Sequence, residues 1–389
     1  MNHLIIGGGI AGTTAAEEIR KKDKEASITL VSEEFHPLYS RVLLPHYLKG
    51  KIPRERVFLK KESWYAEQNI DWMVGITALK LDAKNRFVAL SNGRELPYDK
   101  LLIASGMDVR PLFGNLPGVM YLRTLEDADE ILEQTNPTSL PPTSHLPALV
   151  YGGGFIACEF INYFTNIGWP VRVAHRGSQF WEKFLLPEAG ALIRTHLEAN
   201  GVEVLPHMPE PEVAGKDRLE SVSFNGKAMP CRALGVGIGL RPDWQWALEN
   251  GVKVDRGVVV NEFLETDVED IFAAGDIVQF QDIVTRRSIQ VGNWMNAIMQ
   301  GRVAAANMLG EKKPFRLVSS YATDLLGMTI IFIGDTEKAA ADKVEIEAKP
   351  LENGLIQRHF RNGVLVGAVL MNQNKERAIL TKQIDTARP

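Results

Sequence analysis

Residues 3–12 read His-Leu-Ile-Ile-Gly-Gly-Gly-Ile-Ala-Gly, and the chain continues Thr13-Thr14-Ala15-Ala16-Glu17-Glu18-Ile19-Arg20-Lys21-Lys22. The first four residues are a short apolar strand pattern, the glycines break it, and Thr13–Lys22 reads as a helix. A second strand pattern, Ser27–Val31, ends on Ser32-Glu33-Glu34. Strand, glycine turn, helix, strand and acid is the order of a βαβ unit that binds a dinucleotide. The requirement is physical. Gly7 makes the tight turn, Gly9 lets a pyrophosphate approach the backbone, and Gly12 lets helix and strand pack closely. Free N–H groups and the helix dipole are left aimed at an anion, with Ile10 and Ala11 inside the turn. Glu33 stands where an acid accepts hydrogen bonds from a ribose hydroxyl, and Glu34 is the neighbouring alternative.

The same order returns halfway along the chain. Ala148–Tyr151 is a strand pattern, Gly152-Gly153-Gly154-Phe155-Ile156-Ala157 the turn, Cys158–Ile167 the helix and Val171–Ala174 the next strand. One such motif is weak evidence; two in the same local context are strong. The second copy lacks the acid. His175-Arg176 follows its strand, where an arginine either pairs with a 2′-phosphate or lies solvated on the surface. Without an acid to bind the 2′-hydroxyl, NADPH is expected to serve at least as well as NADH. Gln134–Pro147, rich in Pro, Ser and Thr, reads as a connector ahead of the second copy.

Outside these units, a late strand, Ile271–Ala274, runs into Gly275-Asp276, and a helix pattern spans about Asn296–Leu309. An acid at a strand end before a helix suits hydroxyl groups, or it caps the helix. Asn353-Gly354 and Asn362-Gly363 separate the strand patterns Leu355–Phe360 and Val364–Met371, a strong hairpin signal.

With 389 residues the chain suits two or three domains. An apolar share of 45% and a net charge of −4 describe a globular protein with no reason to bind nucleic acid. Apolar runs such as Met328–Ile333 fall short of a membrane span, and Lys375–Pro389 is polar and charged. Met1-Asn2-His3 leads directly into a strand pattern without a signal peptide, so the cytoplasm and no membrane association are expected. The two cysteines, Cys158 and Cys231, form no CxxC pair, and the eight histidines show no ligand spacing. No metal is expected.

Two nucleotide units with Phe272-Ala273-Ala274-Gly275-Asp276 near the end resemble the pyridine nucleotide–disulfide oxidoreductase superfamily, as do Leu101–Gly106 and Gly152–Glu159. Tyr39-Ser40-Arg41-Val42-Leu43-Leu44-Pro45 and Val119–Leu125 resemble its rubredoxin and ferredoxin reductase branch. The first of these is at least as similar to the flavin-binding front end of large nitrite reductases. Thr323–Asp335 and the hairpins look like the small last domain of that group. The resemblance implies an α/β fold: two Rossmann-like dinucleotide-binding domains, the second inserted in the first, plus a small α+β C-terminal domain. The expected boundaries are 1–112 with 240–312 for FAD, 113–239 for NAD(P), and 313–389 for the interface domain.

By the resemblance, Gly7, Gly9, Gly12 and Glu33 hold the adenosine end of FAD, Arg41 lies on the pyrophosphate and Ile76 beside the adenine. Ala104 and Gly106 line the flavin path, Arg123 contacts the cofactor and Asp276 binds the ribityl chain. Gly152, Gly154, Ala157 and Gly237 serve the nicotinamide nucleotide. Glu159 approaches the nicotinamide and the flavin edge, where relatives pair it with a lysine. Counting from Arg41 puts His46 in the lysine's place.

The departures are equally informative. Disulfide members carry a CxxxxC pair after the first unit, and peroxidases one cysteine there, but residues 35–60 contain none. Thiol chemistry beside the flavin is therefore excluded. The leading expectation is an NAD(P)H oxidoreductase whose reduced FAD passes electrons to a small acidic carrier such as rubredoxin or ferredoxin. Lys49, Lys51, Arg54, Arg56, Lys60 and Lys61 against the single acid Glu55 form a basic run that would steer such a partner, or a merely solvated loop. Alternatives are the flavin reductase component of a nitrite-reductase-like system, a direct reductase of quinone or dioxygen, and a nucleotide-binding redox sensor or subunit. The sequence is compatible with a homo-oligomer.

Overall fold

The computed structural model describes residues 1–114, 116–136, 146–248 and 251–387. Most of the Gln134–Pro147 connector, residues 137–145, lies outside the described residues. The chain divides into two compact units. One comprises Met1–Val42, Arg54–Asp108 and Arg241–Ser319; the other comprises Leu43–Pro53, Val109–Leu240 and the chain from Ser320 on.

The first unit is built on a five-stranded sheet ordered Ile271–Ala273, Lys100–Ile103, Asn2–Ile6, Ser27–Ser32 and Asp71–Val74. Every pairing is parallel. Parallel strands covered on both faces need continuous apolar runs, which Leu4-Ile5-Ile6 supplies. Leu4, Ile5, Leu30, Leu101 and Leu102 are all buried, and each such side chain contributes on the order of 2 kcal/mol. Helix Ile10–Lys22 begins three residues earlier than its composition indicated, because Gly9 takes the N-cap position with extended backbone. It packs on helix Trp294–Met308 so closely that a Cβ at Gly301 would lie 2.4 Å from the Ala11 carbonyl oxygen. The latter helix also starts early, because the Asn293 side chain accepts a hydrogen bond from the Asn296 N–H at 2.9 Å.

The second unit repeats the arrangement with a parallel sheet ordered Glu203–Leu205, Val171–Ala174, Ala148–Tyr151, Ala233–Val236 and Val119–Met120. Helix Phe155–Asn166 starts directly from its glycine turn. From Ser320 on, a five-stranded antiparallel sheet takes over, ordered Ser320–Leu325, Met328–Gly334, Val364–Met371, Gly354–Arg361 and Lys343–Lys349. Asn353 and Asn362 occupy left-handed backbone at φ +46° and +51°, as the Asn-Gly signals required.

Two histidines serve as core residues. His3 on the first strand and His359 on the antiparallel sheet are each 0% exposed, and burial lowers both pKa values from 6.5 to about 4. Gln357 Nε2 lies 2.7 Å from His359 Nε2 and donates to it, an arrangement only a neutral ring accepts. Both groups bind protons less readily folded than unfolded, so their contribution to stability is full above pH 6.5 and is lost as pH falls toward 4. The expected loss is on the order of 3 kcal/mol per histidine. Urea midpoints measured across that window should fall steeply in the wild type and less steeply in His3→Leu; equal slopes would contradict this assignment.

Candidate functional site

Three loops leave the carboxyl ends of the first unit's strands and converge. A Cβ on Gly7, whose φ is +119°, would lie 2.2 Å from the Ala104 carbonyl oxygen. A Cβ on Gly12 would lie 2.0 Å from the Gly7 oxygen, and one on Gly275 would lie 3.2 Å from the Ala11 Cβ. The segments carrying Ile10 and Ala11, Ala104 to Gly106, and Asp276 are thereby held together at the edge where open α/β sheets bind ligands. Gly9 differs from its neighbours. Its φ of −69° is open to any residue, and a Cβ there would meet no atom within 4 Å. Packing does not require glycine at that position, and the open space beside it leaves room for a ligand to approach the backbone.

The acids behind this turn divide their roles. Glu34 is engaged by Tyr39 Oη and forms an ion pair with Arg41. Glu33 is exposed and has no cationic partner among the described residues. Partial desolvation at its inner side, then the carboxylates Asp108, Glu34 and Asp243, raise its pKa. Burial opposes the charge on Arg41, but Glu34, Tyr39 and Asp276 raise its pKa, fixing a permanent cation beside the loops. Ile76 packs against the core, its N–H donating to the Ser32 carbonyl at 3.0 Å. Two residues the sequence did not single out belong here. Asn296 and Gln300 are 1% and 0% exposed, and their amide nitrogens have no hydrogen-bond partner among the described residues. Gln300 Oε1 accepts the Gly275 N–H at 2.8 Å, so its orphan donor stands beside the Asp276 loop. Two amides four residues apart in a helix of small apolar residues were the signal available.

In the second unit a Cβ on Gly152, at φ +140°, would lie 2.1 Å from the Gly237 oxygen, and one on Gly237 would lie 2.6 Å from the Ala157 nitrogen. Ala157 therefore fills the place of a third glycine, and the ends of strands Ala148–Tyr151 and Ala233–Val236 meet over the helix start. Arg176 is exposed at the neighbouring strand end. His175 is withdrawn into the core: its Nδ1–H donates to the Gly177 carbonyl at 2.9 Å, and burial lowers its pKa. Of the two expected nucleotide contacts at this strand end, His175 is thus buried and Arg176 is the exposed cation. Arg123 precedes helix Leu125–Thr135, its N–H donating to Asp127 Oδ2 at 2.6 Å in the turn that the Thr124 capping box closes.

Glu159 lies in helix Phe155–Asn166, and its partner is Lys49, with Nζ 3.4 Å from Oε2. This corrects the expected pairing with His46. Helix Leu44–Leu48 carries His46, and Lys49 caps its C-terminus; Tyr47 Oη anchors the segment on Asp129 at 2.8 Å. His46 is exposed, and partial desolvation, then Lys49 and Lys51, lower its pKa, which disfavours a cation there. Burial raises the Glu159 pKa above its ordinary 4.5, with Lys49 opposing and Asp324 reinforcing the shift. A carboxyl of raised proton affinity beside a lysine is equipped to hold or pass a proton.

The family model for pyridine nucleotide-disulphide oxidoreductases matches residues 1–301. The chain belongs to that family. Over 381 residues it is 30% identical to a nitrite reductase [NAD(P)H] of Bacillus subtilis, covering 96% of this chain and 46% of that protein. It thus spans about half the length of that relative. Over 388 residues it is 29% identical to the ferredoxin–NAD(+) reductase component of the biphenyl dioxygenase system of Paraburkholderia xenovorans, covering 98% and 92% of the two chains. A crystal structure of the covalent putidaredoxin reductase–putidaredoxin complex superposes with a TM-score of 0.91 at 25% identity, covering 99% and 93%.

Within this family of oxidoreductases the present member departs in its thiols. Cys158 and Cys231 are both free and buried; burial raises the first well above, and the second to about 12 from, the ordinary value of 9.0. Neither offers a thiolate. Among the described residues no group of three or more His, Cys, Asp or Glu side chains is arranged to hold a metal, and no helix is long and apolar enough to cross a membrane. The basic run divides. Lys49 is committed to Glu159, and Lys60 pairs with Glu17 at 3.1 Å beneath the Trp64 ring. Lys51, Arg56 and Lys61 are exposed.

Proposed function

We propose that this chain is a cytoplasmic FAD-dependent NAD(P)H oxidoreductase that delivers electrons to a small acidic redox protein of the rubredoxin or ferredoxin kind. The observation that carries this reading is a pair of glycine-turn sites in a family that oxidises nicotinamide nucleotides, with both thiols buried. FAD, when bound, accepts two electrons together and releases them singly. In this reading domain 1–112 with 240–312 holds FAD, 113–239 holds the nicotinamide nucleotide, and 313–389 is the interface domain. The first glycine turn and Arg41 take the pyrophosphate, Glu33 the ribose, Ile76 the adenine side and Asp276 the ribityl hydroxyls. Ala104 and Gly106 line the flavin path, Arg123 contacts the cofactor, and Asn296 and Gln300 present buried amide donors. Gly152, Gly154, Ala157 and Gly237 admit the nicotinamide nucleotide, and Arg176 meets a 2′-phosphate. Lys49 holds the Glu159 carboxylate in place and sets its proton affinity.

The reduced protein must discharge outside the chain. The exposed cations Arg56 and Lys61 attract an acidic carrier, and such steering weakens as salt rises past roughly 0.1 M, where the screening length is about 10 Å. Stopped-flow reduction of rubredoxin and of a plant-type ferredoxin should therefore slow with salt, and an Arg56→Glu/Lys61→Glu variant should be slower at low salt. Equal, salt-independent rates would remove the steering. Failure to reduce any acidic carrier would overturn the acceptor class. The 30% identity to nitrite reductase over 96% of the chain favours one second reading, the flavin reductase component of a nitrite-reductase-like system. That reading becomes the better one if only such a partner accepts the electrons.

A further inference from the structure

Trp181 occupies backbone that a bulky side chain seldom adopts, with φ at +45°. Such an outlier persists only where its surroundings hold it, and it is a pointer to function. Here the Trp181 N–H donates to the carbonyl of Gly153, the middle glycine of the second turn, at 3.0 Å. The indole ring is set against Phe155 at 5.1 Å and Phe332 at 5.4 Å between centroids. Any aromatic ring would satisfy those contacts. The indole N–H is another matter. Trp181 is 8% exposed, and its Nε1 has no hydrogen-bond partner among the described residues. A buried donor without an acceptor carries the full penalty of its lost hydration.

What lies next to that donor is the start of helix Phe155–Asn166. Gly154 is the helix N-cap, has extended backbone that any residue adopts, and supplies no side-chain cap. The one atom near a Cβ built on Gly154 is Trp181 Nε1 itself, at 4.0 Å. Neither packing nor conformation demands glycine here, just as neither does at Gly9. An uncapped helix N-terminus, a glycine spared for close approach and a buried N–H at the same point together define a place for an anionic oxygen.

We propose that Trp181 is a nucleotide-binding residue, its indole N–H donating to a pyrophosphate oxygen of the nicotinamide dinucleotide. The inference rests on the reading that the second glycine turn receives that nucleotide. The turn's backbone N–H groups and the helix dipole then meet the anion from one side and the indole from another. The left-handed backbone is what brings a side chain of the following loop back over the turn.

The decisive comparison is Trp181→Phe, which keeps an aromatic ring at this position while removing the indole N–H donor together with the second ring. FAD-loaded wild type and variant are titrated calorimetrically with ADP-ribose, which has the pyrophosphate but no nicotinamide. The variant should bind about tenfold more weakly, equivalent to ~1.4 kcal/mol, with unchanged FAD content. In the wild type the Trp181 indole N–H resonance, assigned by triple-resonance spectroscopy, should move downfield on adding ADP-ribose. This readout decides the matter even where the variant folds poorly. Equal affinities with an unmoved resonance would overturn the role of Trp181 while leaving the nucleotide site intact. A wild type that binds no ADP-ribose would overturn the site itself.

Discussion

Gly9→Val is expected to purify as a folded, colourless protein. The expectation combines two facts. A Cβ at Gly9 meets no atom within 4 Å, and the backbone at φ −69° tolerates any side chain, so the substitution costs the apoprotein little. A pyrophosphate lying against that backbone would instead meet the valine and lose several charge-assisted hydrogen bonds. Each is worth about 1.5–3 kcal/mol, so the loss of two weakens FAD by on the order of a hundredfold or more. Gly12→Val provides the contrast: its Cβ would fall 2.0 Å from the Gly7 oxygen, and that variant should lose the fold as well. Flavin absorbance per protein, read beside far-ultraviolet circular dichroism, separates the two. A Gly9→Val protein with full flavin would contradict the assignment of the first turn.

Glu159→Gln and Lys49→Ala should each slow reduction of bound flavin by NAD(P)H by on the order of a hundredfold, with FAD retained. The two side chains form one unit, 3.4 Å apart, so the double variant should be no slower than the worse single variant. The pH profile discriminates further. Burial raises the Glu159 pKa above 4.5, so the wild-type rate should carry an acid limb above the ordinary carboxylate range, and Glu159→Gln should abolish it. Removing Lys49 takes away the charge that opposes burial, so the limb in Lys49→Ala should move to higher pH. His46→Ala should leave the rate unchanged. Additive effects of Lys49→Ala and Glu159→Gln, or a slow His46→Ala, would contradict the pairing.

The sequence made the glycine turns legible because their spacing answers to backbone geometry alone. Gly7 and Gly12 must be glycine wherever a strand turns into a helix this tightly, and the contacts at 2.2 and 2.0 Å show why. The antiparallel end of the chain was equally readable, since Asn353 and Asn362 mark left-handed positions. The Glu159 partner was not. Counting along the chain from Arg41 assumed a fixed backbone path, whereas helix Leu44–Leu48 intervenes and leaves Lys49 at its cap. The burial of His175 was hidden for a related reason. A polar residue at a strand end looks available until burial and a hydrogen bond to Gly177 withdraw it. Asn296, Gln300 and Trp181 escaped notice because an unpaired donor is a property of three-dimensional packing, invisible in a linear pattern.

In the proposed function this chain moves electrons from a nicotinamide nucleotide to a flavin without a thiol. Anaerobic stopped-flow mixing of the FAD-loaded Cys158→Ser/Cys231→Ser protein with NADPH and NADH tests it most directly. The flavin band should bleach within milliseconds, at the wild-type rate. A flavin that stays oxidised in the wild type, or one whose reduction depends on either cysteine, would contradict it.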